Sequence, residues 1–390
     1  MKIGIAGPIN LNEIDKGLPK AQSTPLLVYF ANRLIQEGQE VVIFALSSKV
    51  SKPIVIDWSK DMTIAIGRST RHSGRKFFKE EIEDLKGLMK KTKPDIVHAH
   101  WSYEFGLAAI ESGLPHVITI HDNATKVLQY YMDPFRAVRW LLNYKCLKKA
   151  QNLIANSEYI FNTIRPSYQD KALIINNAYP EALNNYTIDN EKEKCFVTIS
   201  NSFDELKNVR TSLKAFSLIR KKYKDFRYRI IGSDMGSNGP AFQYAKKHHL
   251  DEGVDFLGSL PYSEALSMVN QSFAMIHPSR EESFGMAVLE AMILGTPVIG
   301  GNSSGNIPYL LKNKKTGCVC DIEKPSEIAQ SAIQLIEQQD LYHYIRKAGR
   351  DFGKKHFDEK KIFSKTISYY QSILHQEYKY NLVNSQITTS

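Results

Sequence analysis

Residues 278–301 read PSREESFGMAVLEAMILGTPVIGG, and this stretch decides the fold of the chain. The residues before it, 272–277, form a short apolar run that predicts a buried strand, which the following proline ends. Apolar side chains then recur at helical spacing over 286–292, and Gly295 is typical of a helix end. A second apolar strand begins at Val298. This order of strand, turn, helix and strand predicts one unit of a parallel sheet.

Two carboxylates stand out in this unit. Glu282 lies in the turn before the helix, and Glu290 lies about two turns into it. The start of a helix offers free N–H groups and a positive dipole end, and Gly285 lets a ligand approach the backbone. The two acids could therefore bind hydroxyl groups on either side of a phosphate. The alternative is that Glu290 is an exposed helix residue and Glu282 only a partner of the helix dipole.

The wider string resembles the Glu-x7-Glu signature of the retaining glycosyltransferase family 4, whose members have the GT-B fold. The matching positions are Pro278-Ser279, Glu282 to Gly285, Glu290 to Met292 and Gly295 to Ile299. The resemblance covers nearly the whole chain and is best from 275 to 300.

The opening of the chain predicts a strand, a helix and a second strand. The strands are 1–6 and 40–46, and the helix runs over 26–36 with Ser23 or Thr24 as its cap. This order is typical of the first unit of a nucleotide-binding sheet.

The resemblance implies an α/β protein with two Rossmann-like domains that face each other across a cleft. Residues 1–185 would form an acceptor domain, and residues 191–356 would form the domain that binds the donor. A last helix, about 357–376, would cross back to the first domain. We expect residues 377–390 to be a disordered tail.

The resemblance also implies roles for individual residues. Glu290 would bind the ribose hydroxyls of a nucleotide, and Glu282 would hold hydroxyls of the donor sugar. The amides of Gly285 and Met286, together with Lys207, would stabilise the diphosphate. Without the resemblance, Lys207 would be interpreted as a surface lysine in a polar loop.

His121 ends a strand that resembles the family strand beside the donor sugar and the acceptor, so it is a candidate catalytic residue with Glu282. The alternative is a polar strand end.

Two departures from the family pattern concern the phosphates. Asn201 or Ser202 stands where the family has an arginine, which could shift that role to Arg280, and only Gly17 stands where the family has a Gly-Gly pair.

Composition sets further bounds. The chain has 390 residues and a net charge of +10, and it contains no apolar run long enough for a transmembrane helix. Its first residues are typical of a strand rather than of a signal peptide. Basic side chains concentrate over 68–79 and 127–150, which are either solvated and core-packed segments or contacts with lipid head groups or phosphate. His98 and His100 are spaced for a metal, but the sequence offers no third ligand.

These observations predict a retaining glycosyltransferase that moves a sugar from a UDP- or GDP-sugar to a glycan or lipid-linked acceptor in bacterial surface polysaccharide assembly. We expect it to need no cofactor and no metal and to bind no nucleic acid. We expect it in the cytoplasm, with peripheral contact with anionic lipid at the inner face of the membrane as a further option. The alternatives are a non-catalytic binding or scaffold protein of the same fold, and a nucleotide-sugar epimerase or a phosphorylase.

Overall fold

The computed structural model describes residues 1–19, 25–187 and 191–387. The chain divides into two compact units. The first unit comprises residues 1–156, 160–175 and those from 363 onward, and the second comprises 157–159 and 176–362. Each unit is an α/β structure built on its own sheet. The predicted cap at Ser23 or Thr24 lies outside the described residues.

The first unit follows the predicted alternation of strands and helices. Its elements, up to the end of β8, are β1 Lys2–Ala6, α1 Leu11–Ile14, α2 Pro25–Gln36, β2 Glu40–Ser47, β3 Ile54–Ser59, β4 Met62–Arg68, a 3-10 helix Ser73–Lys76, α3 Lys79–Thr92, β5 Ile96–His100, α4 Glu104–Ser112, β6 His116–Ile120, α5 Ala124–Tyr131, α6 Pro134–Lys149, β7 Leu153–Ala155, α7 Glu158–Thr163, α8 Pro166–Gln169 and β8 Ala172–Ile174.

The first sheet has eight strands in the order β3-β4-β2-β1-β5-β6-β7-β8. All neighbours are parallel except β3 and β4, which pair antiparallel at the edge. Strands β5 and β6 are buried along their whole length because helices cover both faces of the sheet.

The second unit contains the remaining elements. They are a 3-10 helix Glu181–Asn185, β9 Glu193–Ile199, α9 Val209–Lys222, β10 Arg227–Ile231, α10 Pro240–Lys247, β11 Val254–Gly258, α11 Tyr262–Gln271, β12 Ser272–His277, α12 Met286–Ile293, β13 Val298–Gly301, α13 Ile307–Leu311, β14 Cys318–Cys320, α14 Pro325–Glu337, α15 Gln339–His356 and the start of α16 Glu359–Ile387.

The second sheet is entirely parallel, with the strand order β11-β10-β9-β12-β13-β14. Chain order runs outward in one direction from β9 to β11 and in the other from β12 to β14. The loops after β9 and β12 therefore start side by side at the carboxyl edge of the sheet, and the chain leaves them in opposite directions. Open α/β sheets bind ligands at such a switch point. The quoted stretch, 278–301, follows directly on β12 and so begins at this place.

The last helix, α16, packs on the first unit from Phe363 onward. Over residues 359–375 its buried side chains are Phe363, Thr366, Tyr370 and Ile373, which share one helical face. Tyr370 is fully buried, and its hydroxyl bonds to Nδ1 of His98 on β5. The other ring nitrogen of His98 lies 2.6 Å from Oγ1 of Thr119 on β6.

Two expected boundaries differ from the structure. The expected tail, 377–390, is helical as far as Ile387, because α16 continues without a break; residues 388–390 lie outside the described part. Residues 176–185, which were expected in the first domain, belong to the second unit. Their backbone joins it through a bond from the N–H of Tyr179 to the carbonyl of Phe357.

We predict that Tyr370→Phe lowers the free energy of unfolding of the first unit by about 1–3 kcal/mol, because Nδ1 of buried His98 then loses its partner. Urea denaturation followed by circular dichroism would measure the change. Tyr369→Phe is the matched control, since Tyr369 is a partly exposed neighbour on the same helix. Equal effects of the two substitutions would contradict the proposed anchoring role of Tyr370.

Candidate functional site

The candidate site of the second unit lies where the loops after β9 and β12 meet. The loop after β9 carries Lys207, and the turn after β12 carries Glu282. The ammonium of Lys207 donates a hydrogen bond of 2.7 Å to Oε1 of Glu282, although 75 residues separate them. Both side chains are about four-fifths buried, with exposures of 21% and 19%. Neighbouring strands at the switch point thus bring the two predicted residues together.

Glu282 is held as a carboxylate. Burial alone would raise the pKa of Glu282, but the charge of Lys207 and a contact with His277 outweigh it and hold this pKa well below its usual range. Nε2 of His277, the last residue of β12, lies 3.4 Å from the same carboxylate oxygen. The Glu282 side chain is therefore charged at neutral pH and can accept hydrogen bonds from a ligand.

The backbone of the turn is fixed by the loop after β13. The N–H of Asn306 donates to the carbonyl of Glu282 at 2.8 Å, and its side-chain amide donates to the carbonyl of Phe284 at 2.9 Å. Gly305 has a φ of +56°, and a Cβ there would lie 2.3 Å from the carbonyl oxygen of Glu282. Only glycine permits this close approach. The Gly305-Asn306 segment thus positions the turn.

Gly285 ends the turn and directly precedes α12. Its φ is +93°, and a Cβ would lie 2.8 Å from Cδ1 of Ile307, so this position also requires glycine. Met286 is the first residue of the helix. The first N–H groups of a helix have no partner within the helix, and the dipole places positive charge there. The predicted amides of Gly285 and Met286 therefore lie where an anion is favoured.

Two arginines bind the other end of α12. Nε of Arg346 donates to the carbonyl of Gly295 at 3.1 Å, and Arg350 donates to the carbonyl of Ile293 at 2.8 Å. Both carbonyls lie at the negative end of the helix dipole, which cations stabilise. The short helix is thereby held at the end away from the turn.

Glu290 lies in a different environment from Glu282. Burial raises the pKa of Glu290 to about 7, although a hydrogen bond from Tyr262 opposes this shift. The hydroxyl of Tyr262, at the start of α11, donates to Oε1 of Glu290 at 2.6 Å. The carboxylate thus has a hydroxyl donor as its hydrogen-bond partner here.

Arg280 is engaged by protein carboxylates. Its Nε and one terminal nitrogen each donate at 2.7 Å to Glu323, and the other terminal nitrogen lies 3.0 Å from Glu205. The backbone N–H of Arg280 also donates to the carbonyl of Leu206 at 2.8 Å. This geometry joins the turn after β12 to the loop that carries Lys207. It favours a positioning role, and the contact of Arg280 with phosphate stays a prediction.

His121 lies in the first unit, at the end of β6. Its Nε2 is 2.8 Å from Nδ1 of His100, and its ring lies against Trp101 with centroids 4.5 Å apart. Burial lowers the pKa of His121 to about 3, so the ring is neutral at physiological pH. A neutral ring can donate or accept one hydrogen bond, but it cannot supply a positive charge.

His98 and His100, the pair with metal-like spacing, have protein partners instead. His98 bonds to Tyr370 and Thr119, and His100 bonds to His121. Within residues 1–19, 25–187 and 191–387 no group of three or more His, Cys, Asp or Glu side chains is placed to hold a metal ion. In the same residues no helix is both long and apolar enough to cross a membrane.

Sequence reasoning missed two members of the site. Tyr262 bonds to Glu290 across 28 residues of sequence, and no local signal links them. His277 closes a strand that is otherwise apolar apart from its first serine, and this polar residue before a proline was an available signal. The loop position without the family arginine is held by its own contacts, since the hydroxyl of Ser202 donates to Asp204 at 2.8 Å.

Comparison with known proteins agrees with this architecture. Residues 26–182 match the family model described as glycosyltransferase family 4, and residues 184–352 match the model described as glycosyl transferases group 1. Together the two matches support a glycosyltransferase of the group 1 and family 4 kind. An uncharacterised glycosyltransferase of Methanocaldococcus jannaschii is 23% identical to it over 70% of this chain and 75% of the relative. The N-acetyl-alpha-D-glucosaminyl L-malate synthase of Bacillus anthracis is 30% identical over 48% of each chain.

Solved structures share the fold of this glycosyltransferase. The Anabaena protein HepE in complex with UDP and glucose has a TM-score of 0.71 and 15% identity, with 95% of this chain and all of that chain covered. The apo form of the lipopolysaccharide outer core galactosyltransferase WaaB has a TM-score of 0.65 and 16% identity over 95% and 99% of the chains. The predicted fold class, two Rossmann-like α/β domains of the GT-B type, is confirmed.

We predict that Glu290→Gln stabilises the ligand-free glycosyltransferase at pH 8 and has little effect near pH 4.5. With a pKa of about 7 in the fold against 4.5 ordinarily, Glu290 binds a proton in the folded state that the unfolded chain has released. The free energy of unfolding of the wild type therefore falls as pH rises from 4.5 to 7, and glutamine removes this loss.

Calorimetric melting temperatures at pH 4.5 and pH 8 would test this prediction. Glu264→Gln, which changes an exposed carboxylate on α11, is the control, and its effect on the melting temperature should differ between the two pH values far less than that of Glu290→Gln. A Glu290→Gln effect that does not depend on pH would contradict the prediction.

Proposed function

We propose that this glycosyltransferase transfers a sugar, with retention of anomeric configuration, from a nucleotide-diphosphate sugar to a glycan or lipid-linked acceptor. The observation that carries the proposal is the Lys207–Glu282 pair beside the amino end of α12, at the switch point of the second sheet. Together, the pair and the start of α12 provide a cation, a fixed carboxylate and helix amides at one place in the fold. A diphosphate joined to a sugar needs these three kinds of group.

The two carboxylates would bind the two sugar rings of the donor. Glu290 would accept hydrogen bonds from the ribose hydroxyls, in the way that it now accepts one from Tyr262. Glu282, charged and fixed by Lys207 and His277, would accept hydrogen bonds from hydroxyls of the transferred sugar. The spacing of these acids matches the Glu-x7-Glu signature.

The diphosphate would lie between them. As the bond to the transferred sugar breaks, negative charge grows on the leaving phosphate. The ammonium of Lys207 and the amides of Gly285 and Met286 would stabilise that charge without reorganisation, because the turn is already fixed by Asn306. These groups could do so without a divalent metal. His121 would border the reacting centre as a neutral ring.

UDP or GDP is the proposed nucleotide. UDP is supported by the likeness to HepE, whose structure contains UDP and glucose. Bacterial surface polysaccharide assembly is supported by the likeness to WaaB, a lipopolysaccharide outer core galactosyltransferase, and by the basic charge of the chain. We place the reaction in the cytoplasm, at the inner face of the membrane.

A ligand-stabilisation screen would test the donor site. One nucleotide of the pair UDP and GDP should raise the melting temperature, and at a concentration one hundred times its Kd the gain in stability is about 2.7 kcal/mol. The matching UDP- or GDP-sugars would then be incubated with the protein, and mass analysis would identify the sugar that is released or transferred. No stabilisation by either nucleotide would contradict the proposed donor class.

We predict that Lys207→Ala and Glu290→Ala each lower the rate of transfer at least tenfold, because each removes a group that binds the donor in the transition state. Release of the nucleotide diphosphate in the presence of acceptor would measure the rate. Lys214→Ala, which removes an exposed lysine from α9, is the control and should leave the rate unchanged. Full activity of both site variants would disprove the assignment.

A further inference from the structure

The first unit carries a surface cavity of about 880 Å³ bordered by α3, α4, α6 and the segment after the 3-10 helix. We call it the lysine groove. Its lining includes five lysines and one exposed aromatic residue, namely Lys76, Lys79, Lys145, Lys148, Lys149 and Phe77. All six side chains are exposed.

The acidic side chains of the lysine groove are fewer. Glu83 and Glu111 also line it. Glu83 is paired at 2.6 Å with Lys86, and Glu111 lies 3.7 Å from Lys149. Five lysines against two carboxylates leave an excess of three positive charges in the lining. The groove therefore attracts anions.

Phe77 is held towards solvent by its own backbone. Phe77 and Phe78 have φ values of 52° and 55°, which bulky residues rarely adopt. Phe78 is buried, with its ring 5.8 Å from that of Phe135, whereas Phe77 is 46% exposed. The ammonium of Lys145 lies 6.0 Å from the centre of the Phe77 ring. The turn thus presents an apolar side chain among cations at a cost in backbone energy.

The combination of charge and exposed aromatic surface identifies the partner. A soluble polyanion without an apolar or aromatic part would be bound by the lysines alone, and an aromatic ring turned to solvent would add little. A bilayer with anionic lipids offers both phosphate groups and a boundary between head groups and acyl chains, where aromatic rings are favoured.

We propose that the lysine groove docks the first unit on an anionic membrane, with the lysines on lipid phosphates and Phe77 at the acyl boundary. The use of this contact, which is to bring the enzyme to a lipid-linked acceptor, rests on the proposed function. The contact itself can be measured without any reaction.

Vesicle sedimentation with the full chain tests the proposal. The probes are vesicles of phosphatidylcholine and vesicles of phosphatidylcholine mixed with phosphatidylglycerol. The wild type should bind the anionic vesicles and not the neutral ones, and added salt should weaken the binding. Each lysine near an anionic surface contributes about fivefold in affinity, so Lys145→Ala with Lys148→Ala should weaken binding at least tenfold.

Two further variants separate the contribution of the Phe77 ring from that of positive charge. Phe77→Asn removes the ring but suits the left-handed backbone, so it should fold normally and weaken binding roughly fivefold. Lys214→Ala with Lys221→Ala removes the same charge from exposed positions on α9 and should leave vesicle binding unchanged. An equal loss in this control, or binding that does not distinguish the two kinds of vesicle, would overturn the proposal.

Dextran sulfate distinguishes the other class of partner. Binding to it as strongly as to the anionic vesicles, with no effect of Phe77→Asn, would assign the groove to a soluble acidic glycan and overturn the membrane proposal. Thermal shifts with UDP and GDP test the donor site independently of vesicle binding. Nucleotide stabilisation without vesicle binding defeats only the docking surface, and vesicle binding without nucleotide stabilisation defeats only the proposed donor function.

Discussion

The turn between β12 and α12 depends on one close backbone approach. The carbonyl of Glu282 accepts a hydrogen bond from the N–H of Asn306, and Gly305 lies so near that a methyl group could not fit. This contact fixes the backbone at the switch point, between β9 and β12, where the order of the strands reverses. The positions of the Glu282 carboxylate and of the α12 amino end follow from it, because both leave the same turn.

The charged groups are then arranged around that fixed turn. Lys207 reaches Glu282 from the neighbouring loop. Arg280 joins the two loops through Glu205 and the carbonyl of Leu206, and it also binds Glu323 in the loop after β14. An arginine held by two carboxylates is restrained in position, whereas a lysine has a flexible stem and three donors that can be shared with a ligand. The division of roles between the two cations follows from this difference. Arg280 positions the loops, and Lys207 is the cation that a diphosphate could recruit.

Much of this arrangement could be predicted from local sequence, and the rest could not. The proline, the glycine at 295 and the apolar spacing define β12, α12 and β13 because each acts on its own neighbourhood. The contacts of Lys207 with Glu282 and of Tyr262 with Glu290 span 75 and 28 residues, which no periodicity records. Only the family resemblance pointed to Lys207, and nothing in the sequence pointed to Tyr262. The end of α16 differs from expectation for a related reason. A disordered tail was expected only from its position at the end of the chain, yet the helix that Phe363 anchors by its buried face continues to Ile387.

The two acids of the signature illustrate how environment separates identical side chains. Glu282 has a lysine and a histidine beside it and stays charged, so its charge does not depend on a ligand. Glu290 is buried with only a hydroxyl donor, and its pKa rises to about 7. Further hydroxyl donors would stabilise its carboxylate and lower that pKa. Under the proposed function, ribose binding and proton release at Glu290 are therefore coupled near neutral pH. Under that proposal, hydrogen bonds from the ribose would recover part of the energy lost by burying this acid.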